Sequence, residues 1–113
     1  MFRSIAVLSS LLLALSIFTT TAFAGDCTLK ITRTACSGME GESYKKCGGK
    51  QACDELKETA SADACANEGL KACENTRLDI TKSKVITADF DGEAVQGGKN
   101  LCDPARPDFN KCN

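Results

Sequence analysis

The residues best equipped for chemistry in this 113-residue chain are its eight cysteines: Cys27, Cys36, Cys47, Cys53, Cys65, Cys73, Cys102 and Cys112. Their spacing separates the uses that sulfur can have. A redox dithiol needs two thiols about one helical turn apart and a zinc ribbon needs closely paired ligands, yet the chain has no adjacent pair, no Cys-x-Cys and no Cys-x-x-Cys. An even number of well-separated cysteines in a short chain is instead the pattern of a disulfide frame, so four bridges are expected, with no cysteine left for catalysis or metal.

Histidine is absent altogether. That removes the usual general base, the group that activates serine and cysteine nucleophiles, and the commonest metal ligand. Paired carboxylates could still cleave glycosidic or phosphodiester bonds, with Asp54, Glu55 and Glu58, or Asp89 and Asp91, as the available sets. Acids three or four apart on a helix ordinarily form its solvated face, so neither set is assigned a catalytic role. Asp89-Phe-Asp91-Gly-Glu93 resembles part of a calcium loop. With Gly92 at the sixth place, however, Thr87 and Gly98 would fall at the first and last ligand positions, and neither suits. No enzyme activity, cofactor or metal is expected. The remaining candidates are Tyr44, Lys45 and Lys46, which put an aromatic and two cations beside Cys47, where a cystine could hold a binding loop rigid and so lower the entropy lost on association.

The elements that would position these residues begin after a leader. Met1-Phe2-Arg3 is a short positive start, Ile5 to Phe18 is an apolar run interrupted only by serines, and Ala22-Phe23-Ala24 is a small-x-small cleavage signal. Residues 1–24 are therefore predicted to be a secretory signal peptide and residues 25–113 a single cysteine-rich domain. The apolar run, 14 residues from 5 to 18, falls short of the about 20 needed to span a bilayer, so no stable membrane span is expected after cleavage. Without Arg3, 13 of the 14 basic residues remain against 15 acidic ones, a formal charge of −2, which argues against a nucleic acid as partner.

Large apolar side chains number only 14 in those 89 residues, too few to offset the ordering entropy unaided; the bridges must supply the rest. Cys27 to Cys36 alternates, with Cys27, Leu29, Ile31 and Ala35 on one face and threonines and Lys30 on the other, which predicts a half-buried strand. Residues 37–50, rich in glycine, lysine and serine, read as an exposed loop. The Ala, Glu, Lys and Leu content of 51–75 predicts two helices, near 51–59 and 62–75, the second capped by Ser61. Asp91-Gly92 between Val85–Phe90 and Glu93–Val95 predicts a hairpin with a type I′ turn, and the tail through Pro104 and Pro107 reads as extended. Two pairings are excluded by these elements: Cys65 with Cys73, about 12 Å apart along one helix, and Cys27 with Cys36, about 30 Å apart along one strand.

The sequence thus predicts a small α+β, disulfide-stapled domain with an N-terminal strand, two short helices, a C-terminal β-hairpin and an extended tail. Its expected setting is extracellular or periplasmic. Its expected role is non-catalytic, binding or structural, toward a protein or surface partner; the alternative is an inhibitor or toxin-like effector that presents a cystine-held loop to another protein.

Overall fold

Strict alternation in Gly25–Ala35 produces an 11-residue strand, β1, in which Gly25, Cys27, Leu29, Ile31 and Arg33 are buried and their odd-numbered row forms the inner face. In the computed structural model, which describes residues 24–105 and 111–112, β1 lies inside a four-stranded antiparallel sheet. On one side it pairs with β2 (Ala52–Thr59), from Gly25 opposite Thr59 to Thr32 opposite Ala52. On the other it pairs with β3 (Thr81–Phe90), with Leu29 opposite Ala88, Ile31 opposite Ile86 and Arg33 opposite Lys84. A two-residue β4 (Glu93–Ala94) closes the hairpin, giving the order β2-β1-β3-β4. The hairpin forms as predicted: Asp91 and Gly92 have φ of 52° and 85°, the paired positive values a type I′ turn requires.

Residues 51–59 are strand β2, which corrects the predicted first helix. Leu56 is the only large apolar residue in the segment, so a helix there would have no apolar stripe to bury, and nine residues are too few to hold a helix by propensity alone. Pairing with β1 along eight residues instead gives partners to the backbone groups on the inner edge of the strand. The strand remains largely exposed, and its charged residues (Asp54, Glu55, Lys57, Glu58) blunt an otherwise open sheet edge.

Among the described residues three α-helical elements complete the fold, two of them single turns: α1 (Glu40–Ser43), α2 (Ala62–Glu74) and α3 (Cys102–Ala105). The long helix α2 is the predicted one, and the Ser61 hydroxyl caps it by accepting from the Ala64 amide at 3.1 Å. The tail begins with the helical turn α3 and is not extended there; Pro104 is tolerated because the first turn of a helix needs no donor from it. Residues 106–110 and 113 lie outside the described residues, as do residues 1–23 of the predicted signal peptide at 1–24.

The core lies between the inner face of the sheet and α2, whose buried face is Cys65, Ala66, Gly69 and Cys73. Leu29, Ile31, Ile86 and Leu101 are its largest fully buried side chains. Gly69 permits the approach, since a Cβ there would stand 2.5 Å from Leu101 Cδ1. All eight cysteines are bridged, as Cys27–Cys65, Cys36–Cys112, Cys47–Cys53 and Cys73–Cys102, with Cα separations of 5.6, 5.7, 5.5 and 5.5 Å. The first joins β1 to α2 and the last joins α2 to α3. Neither of the pairings excluded from the sequence occurs. The protein is therefore a small cysteine-rich α+β domain with four disulfides, a density typical of proteins that live in oxidising compartments.

Candidate functional site: a cationic cleft

The inner row of β1 continues past Ile31 to Arg33, and the inner row of β3 starts with Lys84 before Ile86 and Ala88. These two cations face each other across adjacent strands, on the same side of the sheet as the core. Residues directly opposite in an antiparallel pair bring their Cβ atoms to about 5 Å, and like charges so placed repel. Both are also covered, Arg33 to 6% and Lys84 to 5% relative exposure.

The fold gives each cation one fixed contact. Lys84 Nζ donates to the Ala72 carbonyl at 2.8 Å, in the last turn of α2, where the helix presents its partial negative end. Arg33 Nη1 lies 3.0 Å from Cys47 Sγ, so the Cys47–Cys53 bridge seats the guanidinium. Among the described residues the ion pairs are Lys30–Asp89, Lys57–Glu68, Lys71–Glu68 and Arg77–Asp79; neither Arg33 nor Lys84 belongs to one. Burial lowers the Lys84 pKa to about 8, assisted by the charges of Arg33 and Lys46 and opposed by Glu55. Burial likewise pushes the Arg33 guanidinium below its ordinary value, with Glu55 acting against the shift.

Two cavities flank the pair. One, of about 220 Å³, opens under the 36–50 segment and is lined by Arg33, Ser43, Lys46, Arg77, Thr81 and Lys84 among others. The second, of about 290 Å³, lies between the sheet and α2, with Arg33, Lys46, Glu55, Lys71 and Lys84 in its wall. Together they form a positively charged cleft in a protein whose formal net charge is −1.

The 36–50 segment that roofs the first cavity is fixed by specific bonds. Ser43 and Thr81 share a hydroxyl hydrogen bond of 2.7 Å, joining α1 to β3. The Tyr44 hydroxyl accepts from the Ala35 amide at 3.1 Å. Lys45–Cys47 is a 3-10 turn ended by Gly48 at φ 65°, where a side chain would be strained. Of the three candidate binding residues, Lys45 and Lys46 therefore line the first cavity, while Tyr44 is half-buried and ties the segment to β1.

The carboxylate sets are not brought together. Asp54 and Glu58 share one face of β2, four residues and about 13 Å apart, beyond the spacings of glycosidase acid pairs, and Glu55 is on the other face. Asp89 pairs with Lys30 at 3.4 Å, and Asp91 Oδ1 accepts from the Asp26 amide at 2.9 Å, holding the hairpin turn to the start of β1. No group of three or more potential metal ligands is present among the described residues. No described helix is long and apolar enough to cross a membrane.

Arg33 and Lys84 were not among the candidates drawn from the sequence, although a signal existed. Arg33 has the same parity as Cys27, Leu29 and Ile31, so the alternation itself places a charge in the buried row. Compared with known proteins, the chain matches no family model, no curated protein and no solved structure.

Proposed function

We propose that the mature protein is an exported, non-catalytic module whose cystine frame holds a binding site in the cationic cleft between the 36–50 segment, the sheet and the C-terminal end of α2. The observation that carries this reading is the placement of Arg33 and Lys84 side by side, more than nine-tenths covered, without a carboxylate partner among the described residues, and beside open cavities. Buried charges are otherwise paired in folded proteins, because desolvating them is costly. A fold that keeps two cations at a cleft with no carboxylate partner among the described residues suits a partner from outside. Four bridges support an oxidising setting, extracellular or periplasmic.

The inhibitor reading fits the same segment less well. A protease-binding loop is extended, whereas Lys45–Cys47 forms a 3-10 turn and Lys46 contributes to the cleft wall. A trypsin-inhibition assay separates the two. The binding reading is tested by chemical-shift mapping of the oxidised protein against a mixed panel of neutral saccharides, amines, organic acids, nucleotides and short peptides. Saturable shifts confined to Arg33, Lys46, Lys84 and their neighbours are expected for at least one class. Responses only on other surfaces would overturn it.

A further inference from the structure

We propose that the Arg33–Lys84 pair is an oxyanion seat, which takes the carboxylate, phosphate or sulfate group of a small molecule entering through the cleft. The inference rests on the cleft being the binding site and adds the chemistry of its ligand.

The donor inventory leads to it. A guanidinium carries five N–H donors and an ammonium three, and neither accepts. Among the described residues, Arg33 Nη1 contacts Cys47 Sγ and Lys84 Nζ donates to Ala72 O, which leaves several charged donors on two neighbouring side chains that line both cavities. An anionic, acceptor-rich group satisfies them together and, unlike water, also neutralises the two opposed charges. An oxyanion does so with two or three oxygens, and charge-assisted bonds of this kind are about twice as strong as neutral ones. A neutral sugar hydroxyl would satisfy fewer donors and leave the repulsion between the opposed cations untouched.

The charges around the pair set the balance. Arg33 comes from β1, Lys84 from β3 and Lys45 and Lys46 from the 3-10 turn, with Arg77 across the first cavity; Glu42 in α1, Glu55 on β2 and the carbonyl end of α2 are the negative features near them, and the cations outnumber them. Glu68, the other acid in the second cavity, is engaged by Lys57 at 3.8 Å and Lys71 at 3.9 Å, so it does not neutralise the pair. Cavities of about 220 and 290 Å³ suit a small acid or a single phosphorylated or sulfated group and are too small for a folded partner. The identity of the bridge contact gives the seat its rigidity: the Cys47–Cys53 cystine is the surface on which the guanidinium rests.

The test is a titration of the oxidised protein at pH 7 and constant ionic strength with sulfate, inorganic phosphate, malonate and, as the monatomic control, chloride. It is read by NMR at the Arg33 Nε–H and Lys84 Cε resonances. Saturable shifts at both side chains with at least one oxyanion, and none with chloride at equal ionic strength, are expected. Sulfate or phosphate saturating first indicates a tetrahedral ester as the natural ligand class; malonate first indicates an organic acid. Arg33→Met and Lys84→Met should each weaken binding by about tenfold or more, the scale of one charge-assisted bond. Lys99→Gln, on an exposed residue outside the cleft, should bind as the parent does. Because a core-facing variant can misfold, the side-chain shifts of the unmodified protein decide independently. Non-saturating shifts spread over the surface lysines, or saturable shifts mapping away from the pair, would overturn the proposal. If a neutral panel ligand shifts the cleft while every oxyanion leaves it unchanged, the oxyanion seat falls and the binding module stands; if nothing touches the cleft, both fall.

Discussion

Raising the pH should stabilise this protein through Lys84. Folding lowers the Lys84 pKa from 10.5 to about 8, chiefly by burial. Between those values the unfolded chain still holds the proton that the folded chain has released. Stability rises with pH wherever the unfolded state binds more protons, so the cost of the buried cation is fully present below about pH 8 and is relieved toward pH 10.5. A displacement of that size corresponds to about 3 kcal/mol at complete burial; screening by solvent in the flanking cavities reduces it to on the order of 1–2 kcal/mol. Lys84→Met removes the titrating group while keeping most of the volume. It also removes the donor to Ala72 O, which costs about 1 kcal/mol and is a smaller term than the burial it accompanies. Urea denaturation of both proteins from pH 6.5 to 9.5, in chloride buffers free of oxyanions, isolates the term. The parent should gain about 1 kcal/mol relative to Lys84→Met across that range. Parallel curves would refute the burial of an unpaired ammonium at this position.

Gly69→Ala should destabilise by about 1 kcal/mol in a thermal or chemical melt: the helix interior gains roughly 1 kcal/mol from alanine, but the new Cβ meets Leu101 at 2.5 Å and forces the core to shift, which typically costs 1–3 kcal/mol. Ser61→Ala, which removes the hydroxyl that accepts from the Ala64 amide, should cost about 1 kcal/mol in the same melt without altering oxyanion binding. Intact mass spectrometry of the exported protein should give a chain starting at Gly25, and thiol titration under denaturing conditions should find no free cysteine.

The parts of the fold that could be read from the sequence were those with a strong local signal. Alternation over 27–36 marked β1, Asp91-Gly92 marked the turn between β3 and β4, and Ser61 followed by Asp63 marked the start of α2. Residues 51–59 misled because their Ala, Glu, Lys and Leu composition favours helix, while the decisive term is non-local: β1 needs a partner for its free edge, and β2 supplies it. A missing apolar stripe was the available warning. The site was legible only in part. Lys45 and Lys46 do line the cleft, but a charge run in a loop carries no information about which strand ends lie beneath it. Arg33 and Lys84 are 51 residues apart and become neighbours only through the β1–β3 register, so their pairing could not be read from either segment alone.

Whether the fold holds two cations, unpaired among the described residues, ready for an external oxyanion is read out at Lys84 itself. Its Cε resonance should be followed against pH with and without saturating sulfate, an anion whose charge is constant over the range. A midpoint near 8 is expected in sulfate-free buffer, with a clear upward movement toward the ordinary lysine value of 10.5 when sulfate is bound and the parent and Lys99→Gln behaving alike. A midpoint already near 10.5 without sulfate, or one that sulfate leaves in place, would contradict it.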